Sequence, residues 1–441
     1  MFLRSITGGA PLANRSALSS NTQVAQSSRK TPQELVTRQL MDQTARQSKM
    51  AMSSDAGRDS LSMKKLMVIT GATGEMGPGF IVEALKNGFQ VLACTRNPSK
   101  YKETPYLKYV QTPEHKLAQP AHWESLLEEH AAKYQEVALL NLLGASVPPK
   151  GKTYEDINLH PVTSAMEGMI HFRNRHGKRC SFQHLSSIAA TIMGNDHPYS
   201  RVRKLADEML LEMAKESQMS FTSLRPGLIF NELRENHMIH MGHAYSPEQL
   251  ASLPVHLVLG SGKQIQQPVF EKDLYEAMLN ATEMDHQIIV DAVGPDTITQ
   301  KELFKFFADL ANKTFRPLHI PTGVAKAIAE YCPKGRFAPY AMQLFETLER
   351  PEINKPLSDR GFKQLVGRET MSLQDVYHNQ GEEQIVLARP PVLEHASEIF
   401  LKMIRDSKAR NGIMGALWTH RADLIGGMVN SSHYEDRVQQ A

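Results

Sequence analysis

Apolar residues fall along this chain in short blocks separated by stretches of helical period, and the alternation begins abruptly at Lys64. Residues 66–70 (LMVIT) are short, apolar and followed by Gly71, which reads as a buried strand. Phe80, Ile81, Ala84 and Leu85 then recur on one helical face, and Gly88 stands where a helix would stop. Residues 91–95 form the next apolar block. Strand, helix and strand within about 30 residues make a βαβ unit, the start of a parallel sheet covered by helices. The theme repeats. Residues 137–143 and 180–186 read as strands, with helical patterns over 123–132, 162–173 and 199–217, and 221–229 and 287–292 add later strands. The expected architecture is α/β, a doubly wound parallel sheet with a small mixed C-terminal lobe.

The flanks lack this rhythm. Residues 1–62 are rich in Ser, Thr, Gln and Asn and cannot bury enough apolar surface to offset their conformational entropy, so they read as a disordered leader. Within it, 33–50 has the spacing of a short helix. Residues 63–230 then carry the first domain, 231–378 a small substrate lobe interleaved with the last sheet strands, and 379–441 a helical extension. The pattern predicts a helix over 299–312 capped at Thr299, and another over 393–407. Residues 412–429 are Gly-rich and apolar around Trp418, a composition that suits docking on the body, a protein partner or a membrane surface.

Composition changes this picture at few points. At roughly 150 residues per domain, 441 residues imply two to three domains. The net charge is +3, but residues 1–60 hold eight Lys/Arg against four Asp/Glu, so the remainder is close to −1. A uniformly basic nucleic-acid-binding body is excluded. The leader has no acidic residue before Glu34 and carries Arg4, Arg15 and Arg29 among serines, which is the composition of a mitochondrial or plastid transit peptide. The composition fits a plain basic tail equally, so the expected location is cytoplasmic, as the few scattered cysteines also favour, with the organelle the alternative if the leader is a transit peptide. Cys94, Cys180 and Cys332 are too few and too scattered for a disulfide framework or a zinc site, and the first two read as buried fillers within strands. His237, His240 and His243 match no metal-ligand spacing, and no metal is expected. No apolar run is long enough for a membrane span.

The candidate chemistry begins after the first strand. Gly71, Gly74 and Gly77 stand three apart, where a tight turn and close approach of backbone N–H groups to a pyrophosphate both demand a missing Cβ. The following helix would lend its N-terminal partial charge to the anion, and Pro78 suits its first turn. Strand before, helix after and second strand at the right distance make this a Rossmann dinucleotide site. NAD-preferring sites place a carboxylate at the end of the second strand. Here that strand ends Thr95-Arg96-Asn97, so nothing repels a 2′-phosphate and Arg96 can pair with one, with Lys100 as a second cation. NADP(H) is the expected cofactor.

Several ordered motifs now resemble the short-chain dehydrogenase/reductases in their extended or atypical branch. Thr70–Gly77 (TGATGEMG) resembles the TGxxGxxG signature, and Asn141-Leu-Leu-Gly144 the NxxG segment ending the fourth strand. Asn158 is similar to the family's helix Asn, His184-Leu-Ser-Ser187 to its HxSS strand end, and Leu224-Arg-Pro-Gly227 to its LRPG turn. Tyr199 lies where the family has its catalytic Tyr. Gln267-Pro-Val-Phe-Glu-Lys-Asp273 resembles the QPVxxxD segment of atypical members, which include relatives of the nucleotide-binding accessory subunit of respiratory complex I and NAD(P)H-binding epimerase-like reductases. The resemblance implies a dinucleotide lined by Gly71, Thr73, Gly74, Glu75, Met76, Gly77, Arg96, Leu143, Gly144 and Pro226. It likewise implies a catalytic group of Tyr199, Ser187, Arg203 and Asn158, with Tyr199 exchanging a proton with a carbonyl or alcohol and Ser187 binding the same oxygen.

Two positions depart from the family. The lysine expected four residues after the Tyr is Arg203, and Lys204 follows it. In a regular helix a residue four on lies about 40° around the axis and one five on about 140°, so Lys204 should face away. Arg203 can supply charge but is a poor proton relay, because a guanidinium does not deprotonate. Lys116 stands where relatives carry an Asp near the adenine. The leading expectation is an NADPH-dependent reductase of a small carbonyl or unsaturated substrate. The alternative is a catalytically silent NADP(H)-binding structural or regulatory subunit, which could meet a protein partner through 379–441.

Overall fold

The structure is a computed structural model and describes residues 65–74, 76–146, 148–192, 197–230, 256–310, 312–323 and 355–378. The leader, Glu75, the histidines at 237–243, Cys332 and the extension over 379–441 lie outside the described residues. Seven strands form one parallel sheet in the order β11-β6-β5-β4-β1-β2-β3. These are β1 (Lys65–Thr70), β2 (Gln90–Thr95), β3 (Leu107–Gln111), β4 (Glu136–Asn141), β5 (Arg179–Leu185), β6 (Ser220–Pro226) and β11 (Gln287–Ala292). The order reverses direction between β1 and β4, the switch point at which ligands enter open α/β sheets.

Helices cover both faces. Along β1 the side chains alternate, Met67 and Ile69 toward one core and Leu66 and Val68 toward the other, which is why the sequence shows a continuous apolar run. The first core takes α1 (Gly77–Lys86) and α7 (Glu271–Thr282), with Phe80, Leu274 and Met278 fully buried. The second takes α2 (Pro120–Ala131), α4 (His160–His176) and α6 (Pro198–Ser217), packed through Trp123, Met166, Phe172, Val202 and Leu210. Helix α1 ends at Lys86, and Gly88 takes φ +79° as the chain turns into β2. Two short helices, α3 (Tyr154–Asn158) and α5 (Ala189–Ile192), sit in the connections after β4 and β5.

The pattern-based reading missed β3. It is an edge strand whose residues alternate between buried and solvent-facing, as Leu107 and Tyr109 do around Lys108, so it presents no apolar block.

The smaller elements are β7 (Ile229–Phe230), β8 (His256–Leu259), β9 (Ile265–Gln266), β10 (Val269–Phe270), β12 (Ile298–Thr299), α8 (Gln300–Leu310) and β13 (Pro317–Ile320). They pair two by two, β10 with β7, β12 with β9 and β13 with β8. Helix α8 starts as the sequence predicts. The Thr299 hydroxyl accepts from the Glu302 N–H, and the Glu302 carboxylate accepts from the Thr299 N–H. Phe230, Phe270, Phe307 and Tyr377 form this lobe's core.

Part of 231–378 belongs to the sheet rather than to the lobe. Helix α7, strand β11 and helix α9 (Arg360–Val366) pack on the first core, where Phe362 is fully buried. Side chains of the body hold the returning segment by its backbone. Gln267 donates to the Leu357 carbonyl and accepts from its N–H, and Asn280 caps the Leu365 and Val366 carbonyls that end α9. Asp273 accepts from the Met371 N–H and pairs with Arg368 at 2.7 Å, and Asp296 accepts from the Leu373 N–H, which opens α10 (Leu373–His378). The QPVxxxD segment therefore supplies two clamps, Gln267 and Asp273, with Asp296 a third outside it, and burial raises the carboxyls of Asp273 and Asp296 above their ordinary range against these hydrogen bonds.

Candidate functional site

The turn after β1 is a backbone device. Gly71 takes φ +65°, and the Gly74 N–H donates to the Gly71 carbonyl at 2.9 Å. A Cβ on Gly77 would lie 2.1 Å from the Ala72 carbonyl oxygen, so only glycine lets the helix start close under the turn. A Cβ on Gly71 would press against the Leu142 carbonyl carbon at 3.0 Å, so the loop backs directly onto the end of β4. Thr73 and Gly74 form the exposed crest, and Met76 is half-buried behind them. Helix α1 has no side-chain cap and no acidic residue in its first turn, so the positive end of its dipole meets no carboxylate of its own helix, while the Gly77 N–H donates to the Gly74 carbonyl and the Phe80 N–H to the Met76 carbonyl. This open, glycine-built crest fits the phosphates of a dinucleotide.

At the end of β2 the Arg96 side chain is exposed and makes no ion pair among the described residues. Lys116, across the same edge, is exposed in a short 3₁₀ turn.

The other end of the cleft is built from side chains. Ser186 and Ser187 at the end of β5 part company. Ser186 is buried and donates to Asp207 at 2.9 Å, whereas Ser187 is half-buried and accepts from the Ala189 N–H at 3.3 Å. Ala189 packs against the Tyr199 ring, and its carbonyl accepts from Ser200 at 2.7 Å. Ser187 and Tyr199 are thus joined through one residue. Tyr154 from α3 packs beside Tyr199 with ring centroids 6.1 Å apart, and burial first, then the Tyr199 phenol, raise the Tyr154 hydroxyl.

Asn158 is buried and spends both ends of its amide on Ala145, accepting from its N–H at 2.9 Å and donating to its carbonyl at 3.0 Å. It holds the loop that follows Gly144. Gly144 in turn makes room for Arg203, since a Cβ there would lie 2.0 Å from the guanidinium. Arg203 is 6% exposed, sits 5.5 Å from the Tyr199 ring centre and donates to the Leu185 carbonyl at 3.4 Å. Lys204 points to solvent and meets Glu208 at 3.9 Å, as the helical geometry predicts. Pro226 closes β6, and its carbonyl accepts from the Ile188 N–H at 2.9 Å, tying the LRPG turn to the Ser187 strand end.

Beneath these residues runs a polar network that sequence reading did not find. Thr70 donates to the Asn141 side-chain oxygen at 2.7 Å, which turns the Asn141 amide nitrogen toward His184 Nδ1 at 3.1 Å. His184 therefore accepts at Nδ1 and carries its proton on Nε2, 4.0 Å from Asp207. Burial, then the positive charges of Arg203 and Arg225, push this imidazole well below its usual range against the Asn141 hydrogen bond, so it is neutral. Asp207 is fully buried and accepts from Ser186, from Ser223 at 2.5 Å and from Arg225 at 2.7 Å. Arg225 also donates to Thr191, which donates to Asp291 on β11. The available signal was an acidic residue on the buried face of α6, four after Arg203 among Val202, Ala206 and Leu210. Cys94 and Cys180 are buried in their strands with thiols pushed up to about 12 by desolvation, so they are inert fillers.

Among the described residues no group of three or more His, Cys, Asp or Glu could hold a metal, and no helix is long and apolar enough to cross a membrane.

The model of the NAD dependent epimerase/dehydratase family matches residues 67–291. A curated protein of Arabidopsis thaliana, NADH dehydrogenase [ubiquinone] 1 alpha subcomplex subunit 9, mitochondrial, is 24% identical over 288 residues, 64% of this chain and 66% of that protein. The match thus spans just under two thirds of that relative's length. Among solved structures, a UDP-glucose 4-epimerase of Thermotoga maritima with UDP-glucose superimposes with a TM-score of 0.51 at 16% identity, covering 71% of this chain and 96% of that one. A UDP-glucuronic acid 4-epimerase of Bacillus cereus in complex with UDP-glucuronic acid and NAD gives 0.51 at 14%, covering 73% and 98%. At these identities the structures show the shared fold.

Proposed function

Because this chain belongs to the NAD dependent epimerase/dehydratase family, we propose that it binds NADP(H) and holds it without turnover, as a subunit of a larger protein assembly. The observation that carries this reading is Arg203, buried against Gly144 and the Tyr199 ring where the family places a lysine. A proton delivered to or drawn from the Tyr199 phenol needs a partner that can lose one, and a guanidinium does not. Its planar fork also fills the wall left by Gly144, a fit that favours holding over relaying.

When bound, the dinucleotide supplies a hydride donor or acceptor. The chain's own residues do the rest. N–H groups of the Gly71–Gly77 turn, helped by the positive end of the α1 dipole, hold the phosphates. Arg96, with no carboxylate beside it, pairs with a 2′-phosphate and selects NADP(H) over NAD(H). Leu143, Gly144 and Pro226 line the far end, and Asn158 keeps the Gly144–Ala145 turn in place. The plant relative's name describes a mitochondrial subunit of an NADH dehydrogenase, which supports an assembly partner and a mitochondrial address. The basic, acid-poor composition of residues 1–33 points the same way.

One observation favours a second reading, an NADPH-dependent reductase of a small carbonyl or unsaturated substrate. Ser187 and Tyr199 are both present and joined through Ala189, so one hydroxyl can bind a carbonyl oxygen while the other exchanges its proton. The two readings part in one experiment: NADPH binding by fluorescence, and NADPH oxidation across aldehydes, ketones and enones, for wild type, Arg203→Lys and Tyr199→Phe. Binding without oxidation by the wild type supports the holding role. A wild-type rate abolished by Tyr199→Phe overturns it in favour of the reductase. Failure to bind NADPH overturns both.

A further inference from the structure

Arg203 and Arg225 approach the same buried network, yet only one has a counter-ion. Arg225 lies 2.7 Å from Asp207. Arg203, one helical turn before Asp207, has no carboxylate within ion-pair distance among the described residues. The Asp207 oxygens are already taken by Ser186, Ser223 and Arg225. His184 beside Arg203 is neutral and adds no negative charge. Arg203 is 94% buried, and among the described residues its Nε has no hydrogen-bond partner and its one acceptor is the Leu185 carbonyl at 3.4 Å. A guanidinium removed from water without an anion is costly, and a fold keeps one where something else supplies the missing charge.

The guanidinium stands where a Gly144 Cβ would be, 2.0 Å from it, at the end of β4, and the adjoining Leu142–Leu143 backbone is the wall on which Gly71 rests. The candidate phosphate turn and Arg203 therefore share one strand end from opposite sides. We propose that Arg203 is the floor of an oxyanion subsite between the end of β4 and helix α6, taking a phosphate or carboxylate group. The anion comes either from the nicotinamide-side phosphate of the dinucleotide or from a separate small acidic ligand. The subsite deepens the NADP(H) reading and lies in the same cleft, and its dinucleotide arm rests on that reading.

The test uses the full chain, with Arg203→Met as a neutral side chain of similar reach and Arg203→Lys as the charge-keeping control. Adenosine 2′,5′-bisphosphate carries the Arg96 end of the ligand and lacks the nicotinamide side. By calorimetry, the Met variant is expected to bind it within about twofold of wild type but to bind NADPH at least about tenfold more weakly, with partial recovery in the Lys variant. If NADPH binds wild type and Met variant alike, inorganic phosphate and succinate are titrated into the NADPH-loaded protein and read by thermal shift. Saturable stabilisation of wild type that is absent in the Met variant assigns the anion to a separate ligand. Equal NADPH affinity with no phosphate- or succinate-dependent shift overturns the proposal. Failure of wild type to bind the bisphosphate overturns the NADP(H) reading instead, and the phosphate and succinate arms, run on the unloaded protein, then decide the subsite alone. Unloaded Arg203→Met should melt no lower than wild type, since it removes an uncompensated charge. A fall of more than about 5 °C with unchanged ligand binding makes Arg203 a packing residue and also overturns the proposal.

Discussion

The two ends of the cleft are built on opposite principles. The β1–α1 end is made of backbone: Gly71 at positive φ, Gly77 under the Ala72 carbonyl, and an exposed crest at Thr73 and Gly74. The β5–α6 end is made of buried polar side chains, with Asp207 gathering Ser186, Ser223 and Arg225 beneath Tyr199 and Arg203. A backbone site has few ways to vary, because it needs a missing Cβ at fixed places and little else. A side-chain site keeps its shape through many bonds, and exchange of one residue is enough to change its chemistry. The fold thus constrains the backbone end of the cleft more tightly than the side-chain end.

The contrast can be broken most forcefully at Asp207. Asp207→Ala leaves the partly buried Arg225 without its carboxylate and Ser186 and Ser223 without their acceptor, with a cost of about 3 kcal/mol in urea unfolding. At the other end, Gly77→Ala puts a methyl into the Ala72 backbone, with an expected loss of about 1–3 kcal/mol and of NADPH binding by calorimetry. A Gly77→Ala protein that binds NADPH normally would remove the backbone argument. Arg96→Ser should weaken NADPH by about 10–100-fold and leave NADH within a factor of about two, since one charge-assisted pair is worth about 1.5–3 kcal/mol. Equal losses for both nucleotides would take Arg96 out of the selection.

A pH titration reaches the network without changing its shape. His184 stays neutral in the fold while the unfolded chain takes up a proton below about pH 6.5, so the native state binds fewer protons and stability falls as pH falls. The slope approaches about 1.4 kcal/mol per unit below pH 6.5, with smaller contributions of the same sign from His122 and His286. Urea midpoints at pH 7.5 and 5.5 measure it, and His184→Asn should flatten it. The smallest effect belongs to Lys204→Ala. Its exposed pair with Glu208 is worth within about 0.5 kcal/mol, and nucleotide binding should not move.

The backbone end was legible because its constraints are written in residue types at fixed spacing. Three glycines between a strand and a helix can be read directly, and so can the absence of a carboxylate after Thr95. Positions on α6 were legible too, since helical geometry alone separates Arg203 from Lys204. The network was not, because Asp207, His184 and Asn141 come from elements dozens of residues apart, and no local pattern says that they share one buried space. Asn158 illustrates the limit from the other side. Its position was evident, but only the fold shows its amide occupied by Ala145. The same holds for Gln267 and Asp273, whose motif gives no hint that it grips residues about a hundred positions later.

That grip has a consequence for how the protein is made. Synthesis runs from the N-terminus, so all seven strands have left the ribosome before residue 360 appears. Until then the seat of Phe362 beside β11 is open to water, and Asp273 and Asp296 wait without their backbone partners. A chain stopped near residue 350 has every motif of a nucleotide-binding protein and an unfinished wall. Closure of that wall therefore waits on a short helix encoded about seventy residues after the last strand of the sheet.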